Sequence, residues 1–108
     1  MARKGHFGDA AGRWNEINRQ LWQEVGNRVP LEAVLKIREV RGLRNGRQGN
    51  TEMKREAKIL LAIRDGIDWR FAESMEVDHK VAMRNGGEDV ASNICLLTQE
   101  ENGHKGAF

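Results

Sequence analysis

Val77-Asp78-His79-Lys80, Arg84-Asn85-Gly86-Gly87, Ser92-Asn93-Ile94-Cys95-Leu96-Leu97 and Thr98-Gln99-Glu100-Glu101-Asn102-Gly103-His104-Lys105 follow one another in the last third of the chain and decide its reading. An acid and a histidine stand side by side at the end of a short apolar-alternating run, residues 75–79, which reads as a strand. Asn85-Gly86-Gly87 signals a loop. Ile94-Cys95-Leu96-Leu97 reads as a second short strand. Thr98 can cap a final helix, with Glu101 three residues later completing a capping box. The layout is strand, long loop, strand, helix. Adjacent strand residues face opposite sides, so the strand must end or bend at Asp78-His79 if both serve one site.

Upstream, residues 1–10 form a Gly-rich basic tail containing His6 and Phe7. Trp14, Ile17, Leu21, Trp22 and Val25 then recur at helical spacing, predicting an amphipathic helix over about 11–25, with Asp9 as N-cap and Gly26-Asn27 as its stop. Both tryptophans are read as core. Pro30 opens a second helix through about Val40, with Leu31, Val34, Leu35 and Ile37 or Arg38 at helical spacing and Lys36, Arg38 and Arg41 towards its end. Residues 42–50 hold three glycines with Arg44 and Arg47, a loop suited to following a phosphate backbone. Asn50 or Thr51 caps a third helix ending near Arg64. Its apolar face is Met53, Ala57, Leu60, Leu61 and Ile63 or Arg64, beside a basic stripe of Lys54, Arg55 and Lys58. Asp65-Gly66 ends it. Residues 67–72 read as a short strand or ordered connection, with Trp69 and Phe71 covering the back wall of the site.

The 108 residues suit one small α+β domain. No apolar run approaches the ~18 residues that span a bilayer. No signal-peptide pattern opens the chain, so a cytoplasmic protein without membrane association is expected. The single Cys95 excludes an internal disulfide and a zinc site built from four cysteines or from two cysteines and two histidines. It reads as a buried structural thiol. Net charge is only +2, but residues 1–72 carry 15 Lys/Arg against 9 Asp/Glu and residues 73–108 carry 3 against 7. A basic two-thirds joined to an acidic third suits a polyanion-binding surface beside a cation-binding pocket.

The C-terminal stretch resembles the HNH, or ββα-metal, endonucleases. The resemblance lies in Asp78-His79, Gly86-Gly87, Asn93 ahead of Ile94-Cys95-Leu96-Leu97, and Asn102 with Lys105. The steps from His79 to Asn93 and from Asn93 to Asn102 are similar to those in the HNH domain of RNA-guided CRISPR effector nucleases. This would be a His-Asn-Asn variant, without the Cys-x-x-Cys pairs that bind structural zinc in many members. The resemblance implies N-terminal helices packed on a C-terminal ββα-metal module: a flexible tail over 1–10, a helical DNA-binding and support region over 11–66, and the nuclease module over 67–108. It implies a divalent-metal-dependent endonuclease acting on double-stranded DNA and leaving a 5′-phosphate and a 3′-hydroxyl. His79 would be the general base and Asn93 the support of its loop. Asp78 and Asn102 would hold one Mg²⁺ or Mn²⁺. Arg38, Arg41, Arg44, Arg47, Lys54, Lys58 and Lys105 would contact nucleic acid. His104 is read as a surface residue, with an auxiliary role as the alternative.

The chemistry agrees with the resemblance. An imidazole near neutral pKa can take a proton from water, and carboxylate and amide oxygens suit a hard cation. A monomer is expected, which would nick one strand, with a dimer as the alternative. Small solitary proteins of this kind are often phage- or prophage-encoded. The rival readings are a catalytically silent nucleic-acid-binding module and a nuclease subunit dependent on a larger phage or restriction complex.

Overall fold

The computed structural model describes residues 10–43 and 50–106, and side chains within 12–43 and 51–103. The fold is α+β: helices α1 (Ala10–Val25), α2 (Leu31–Gly42) and α3 (Asn50–Asp65), strand β1 (Glu76–His79), strand β2 (Ile94–Leu97) and helix α4 (Gln99–Gly106). Short 3₁₀ turns at Gly26–Arg28, Trp69–Ser74, Met83–Asn85 and Ala91–Asn93 join them. Among the described residues no helix is long and apolar enough to cross a membrane. The expected tail lies outside the described residues, as do Asp9, Arg44 and Arg47.

α1 packs along α3, and α2 packs on the same helix. Trp14, Ile17, Leu21 and Val25 of α1 are buried, as the spacing predicts. α3 buries Met53, Ala57 and the consecutive Ile59, Leu60, Leu61 and Ala62, so it is the central element and its second half is enclosed on every side. Ala72, Ala91, Ile94 and Leu96 join the same core, which binds the small sheet to the helical layer. Each fully buried Leu or Ile contributes about 1.5–3 kcal/mol.

Local chemistry sets the boundaries. Gly66, at φ +76°, takes the left-handed conformation that ends α3. Ile67 N then donates to Ala62 O at 2.9 Å, the six-to-one bond of a Schellman motif, while Ile67 packs on the core. At α4, Glu101 N donates to Thr98 Oγ1 (3.0 Å) and Thr98 N donates to Glu101 Oε1 (2.9 Å). This is the expected capping box.

Two expectations are corrected. α2 buries Ala33, Ile37 and Val40, while Leu31 and Leu35 are 71% and 51% exposed. Both sets have helical spacing, and packing against α3 selects the first. Of the two readings of residues 67–72, the ordered connection holds and the strand does not. The Asp68 carboxylate accepts from Arg70 N at 3.0 Å and starts the Trp69–Ser74 turn. That turn buries Ala72 and packs Trp69 on the core, but leaves Phe71 64% exposed, so Phe71 forms no back wall.

Glu56 is a buried acid amid the helices. It accepts from Trp22 Nε1 (2.7 Å) and from both Arg41 Nε (2.8 Å) and Arg41 Nη2 (2.7 Å), so one carboxylate joins α1, α2 and α3. Its removal orphans the indole N–H and the guanidinium. Glu56→Ala is therefore expected to cost about 2–3 kcal/mol, the lower end for a buried pair because Arg41 is half-exposed. Chemical denaturation checks this, and an unchanged midpoint would refute the joining role.

Candidate metal and base site

β1 and β2 pair antiparallel with Glu76 opposite Leu97, Val77 opposite Leu96, Asp78 opposite Cys95 and His79 opposite Ile94. Ile94 and Leu96 are buried and Val77 packs on the core. Strand alternation and cross-strand pairing therefore place Val77 and His79 on the face towards the helical layer, and Glu76, Asp78, Cys95 and Leu97 on the other. α4 meets both strands, and its Asn102 reaches that second face. β1 ends at His79. Cys95 is half-buried rather than fully buried.

The loop between the strands is closed by Asn93. Its Oδ1 accepts from Val81 N (3.0 Å), and its Nδ2 donates to Val81 O (3.0 Å) and Glu88 O (2.8 Å). Lys80 N donates to Asn93 O at 2.7 Å, carrying the pairing one step beyond β1. Gly87 sits inside this closure. A Cβ there would lie 1.9 Å from Val81 O and 2.9 Å from Asn93 Nδ2, so only glycine fits. Arg64 of α3 holds the other side, donating to Ala91 O (2.8 Å) and Ile94 O (2.7 Å) with a side chain 8% exposed. Its hydrogen bonds to Asp65 raise its pKa, so the buried cation stays charged and paired.

His79 meets an acid that the sequence reading did not single out. Its Nε2 lies 2.8 Å from Asp89 Oδ1. Arg13 Nε of α1 lies 2.5 Å from Asp89 Oδ2, a charge contact without hydrogen-bond angles, so Oδ2 is buried with no hydrogen bond. Gln20 Oε1, also on α1, accepts from Ala91 N at 2.8 Å.

Asn102 Nδ2 donates to Glu76 Oε1 at 2.5 Å. This fixes the nitrogen end of the amide and leaves Oδ1 as the end that can serve a cation. Glu76 and Asp78, two apart on one strand, share the face that Asn102 touches, so the two expected metal residues belong to one side of the sheet. Among the described residues no three His, Cys, Asp or Glu side chains converge as a metal cage. A donor set of carboxylate and amide oxygens completed by water or phosphate fits Mg²⁺, which keeps several waters and uses few protein ligands. An open pocket of about 530 Å³ is lined by Asp78, His79, Lys80, Met83, Arg84 and Asn85.

The expected nucleic-acid contacts divide. Arg38 and Lys54 are exposed, with no acid paired to either among the described residues. Arg41 is engaged by Glu56. Lys58 is half-buried. Its pKa is lowered by burial and then by Lys54, while its ammonium approaches Glu73 O at 3.5 Å. Arg55, in the same stripe, pairs with Glu73, whose carboxyl pKa it lowers through the hydrogen bond. The side chains of His104 and Lys105 lie outside the described ones.

No family model, curated protein or solved structure matches the chain.

Glu76, Asp89, Arg13 and Arg64 are the residues around the site that sequence reasoning missed. Glu76 was findable from its two-residue step to Asp78, and Arg64 from its place in the apolar stripe of α3. Asp89 and Arg13 carry no sequence signal of their own. Asn93→Ala removes three hydrogen bonds and should cost about 2 kcal/mol. Gly87→Ala should cost about 3 kcal/mol by steric overlap. Thermal unfolding checks both, and a Gly87→Ala protein as stable as the parent would refute the close approach.

Proposed function

We propose that this protein is a divalent-metal-dependent DNA endonuclease of the HNH type that nicks one strand. The observation that carries the reading is the division of labour at the end of β1. Asp78 lies on the face that Asn102 of α4 reaches, and His79 lies on the other, beside a loop closed by Asn93. The sequence resemblance requires that same set of four residues.

Asp78 and Asn102 would hold the cation. When bound, it would offset negative charge developing on the phosphorane and the leaving oxygen. His79 takes the proton from the attacking water. Lys80 and Arg84, exposed at the pocket that holds Asp78 and His79, bring positive charge to the substrate phosphate. Asn93 keeps the loop in the conformation that presents His79 to its surroundings.

A second reading, a nuclease subunit that relies on a larger phage or restriction complex to engage DNA, is favoured by one observation. Arg41 and Arg55, on the basic side of the helical layer, are engaged by Glu56 and Glu73. Among the described residues that leaves fewer cations unengaged than the composition suggests.

Supercoiled plasmid with Mg²⁺ or Mn²⁺ tests the proposal. Wild type should convert it to open circle, with less conversion as salt rises. Asp78→Ala and His79→Ala should each lose about a hundredfold or more of that activity. Intact plasmid with either metal would exclude an autonomous nuclease. Undiminished cutting by His79→Ala would exclude His79 as the base.

A further inference from the structure

The geometry points to Asp89 as a positioning residue for His79, with α1 holding Asp89 in place through Arg13. The inference rests on the nuclease reading and adds to it the group that sets the ring of the base. An ionised carboxylate only accepts hydrogen bonds, so the 2.8 Å contact between Asp89 Oδ1 and His79 Nε2 requires the hydrogen on Nε2. A neutral ring held this way carries its basic lone pair on Nδ1. Asp89 thus selects a tautomer and a ring orientation together.

Three features show a supported contact. Asp89 is 16% exposed at its side chain, so water competes little for the bond. Its second oxygen lies 2.5 Å from Arg13 Nε, a charge contact that ties the carboxylate to α1. The loop segment carrying Asp89 is pinned on both sides: Glu88 O accepts from Asn93, and Ala91 N donates to Gln20. Arg13 and Gln20 are seven residues apart on α1, two helical turns, so they lie on one face and grip the same loop. A helix remote in sequence therefore sets the orientation of the base.

The test uses the full chain with two readouts. In ¹⁵N-histidine-labelled protein at mildly alkaline pH, long-range ¹H–¹⁵N spectra should show His79 with its hydrogen on Nε2, the resonance being assigned by its loss in His79→Gln. In Asp89→Asn the amide can donate to Nε2, so the Nδ1–H form should appear. In plasmid nicking, Asp89→Asn should lower kcat by about 10- to 100-fold, with KM changed less than about twofold. Asp89→Glu should recover part of the loss. In a His79→Ala background, Asp89→Asn should cause no further loss, because nothing remains to be positioned. Arg13→Gln should lower kcat less than Asp89→Asn does. Full kcat in Asp89→Asn, or wild-type His79 with its hydrogen on Nδ1 in a protein that nicks, overturns the positioning role alone. An Nε2–H signal in a protein that nicks no plasmid overturns the nuclease reading alone and leaves the ring-orienting contact standing.

Discussion

The carboxamide of Asn93 satisfies both backbone groups of Val81 and the carbonyl of Glu88. The loop has no ladder to pair these backbone groups, and the Asn93 side chain pairs them instead. Only a side chain with an acceptor and two donors at short reach meets all three. Aspartate cannot donate, and glutamine would stand one methylene further off. Gly87 is tied to the same closure, since any side chain there would strike Val81 O. Closing the loop this way sets the path of Lys80 beside Asn93, ends β1 at His79, and carries Asp89 back to the imidazole ten residues earlier.

The helical layer supplies what crosslinks might otherwise do. With one cysteine in 108 residues, no disulfide can staple the two strands to the helices. Arg64 extends from α3 to Ala91 O and Ile94 O, while Gln20 and Arg13 extend from α1 to Ala91 and Asp89. These links are polar and directional, and the apolar contacts of Ala91, Ile94 and Leu96 back them. Burying a guanidinium is costly unless its donors are satisfied, and Arg64 satisfies them on two carbonyls and a carboxylate. Orientation of the loop is therefore coupled to integrity of the three-helix core.

The two faces of β1 are supported unequally. The His79 face rests on the core and on α1. The Asp78 face meets α4, an eight-residue helix too short to be stable alone. The capping box, the Asn102–Glu76 bond and packing against both strands hold α4 in place. In the proposed mechanism the base side rests on the core, while the two oxygen donors come from different elements, Asp78 from β1 and Asn102 from α4.

The order strand, loop, strand, helix was legible because short-range rules govern it. Period-two alternation, a glycine-rich turn and a capping box each act within a few residues. The buried faces of α1 and α3 were legible for the same reason, as was the opposition of Asp78 and His79 across one strand. The face of α2 was not, since Leu31-Leu35 and Ala33-Ile37-Val40 satisfy the same helical period and only contact with α3 distinguishes them. Residues 67–72 alternate like a strand, yet one Asp68 side-chain bond turns them into a 3₁₀ segment. Asp89 on His79, Arg13 on Asp89 and Asn102 on Glu76 were decided by the tertiary structure alone. These partners lie 10, 76 and 26 residues apart, beyond the reach of any periodic pattern, and only the closed loop and packed helices bring them together.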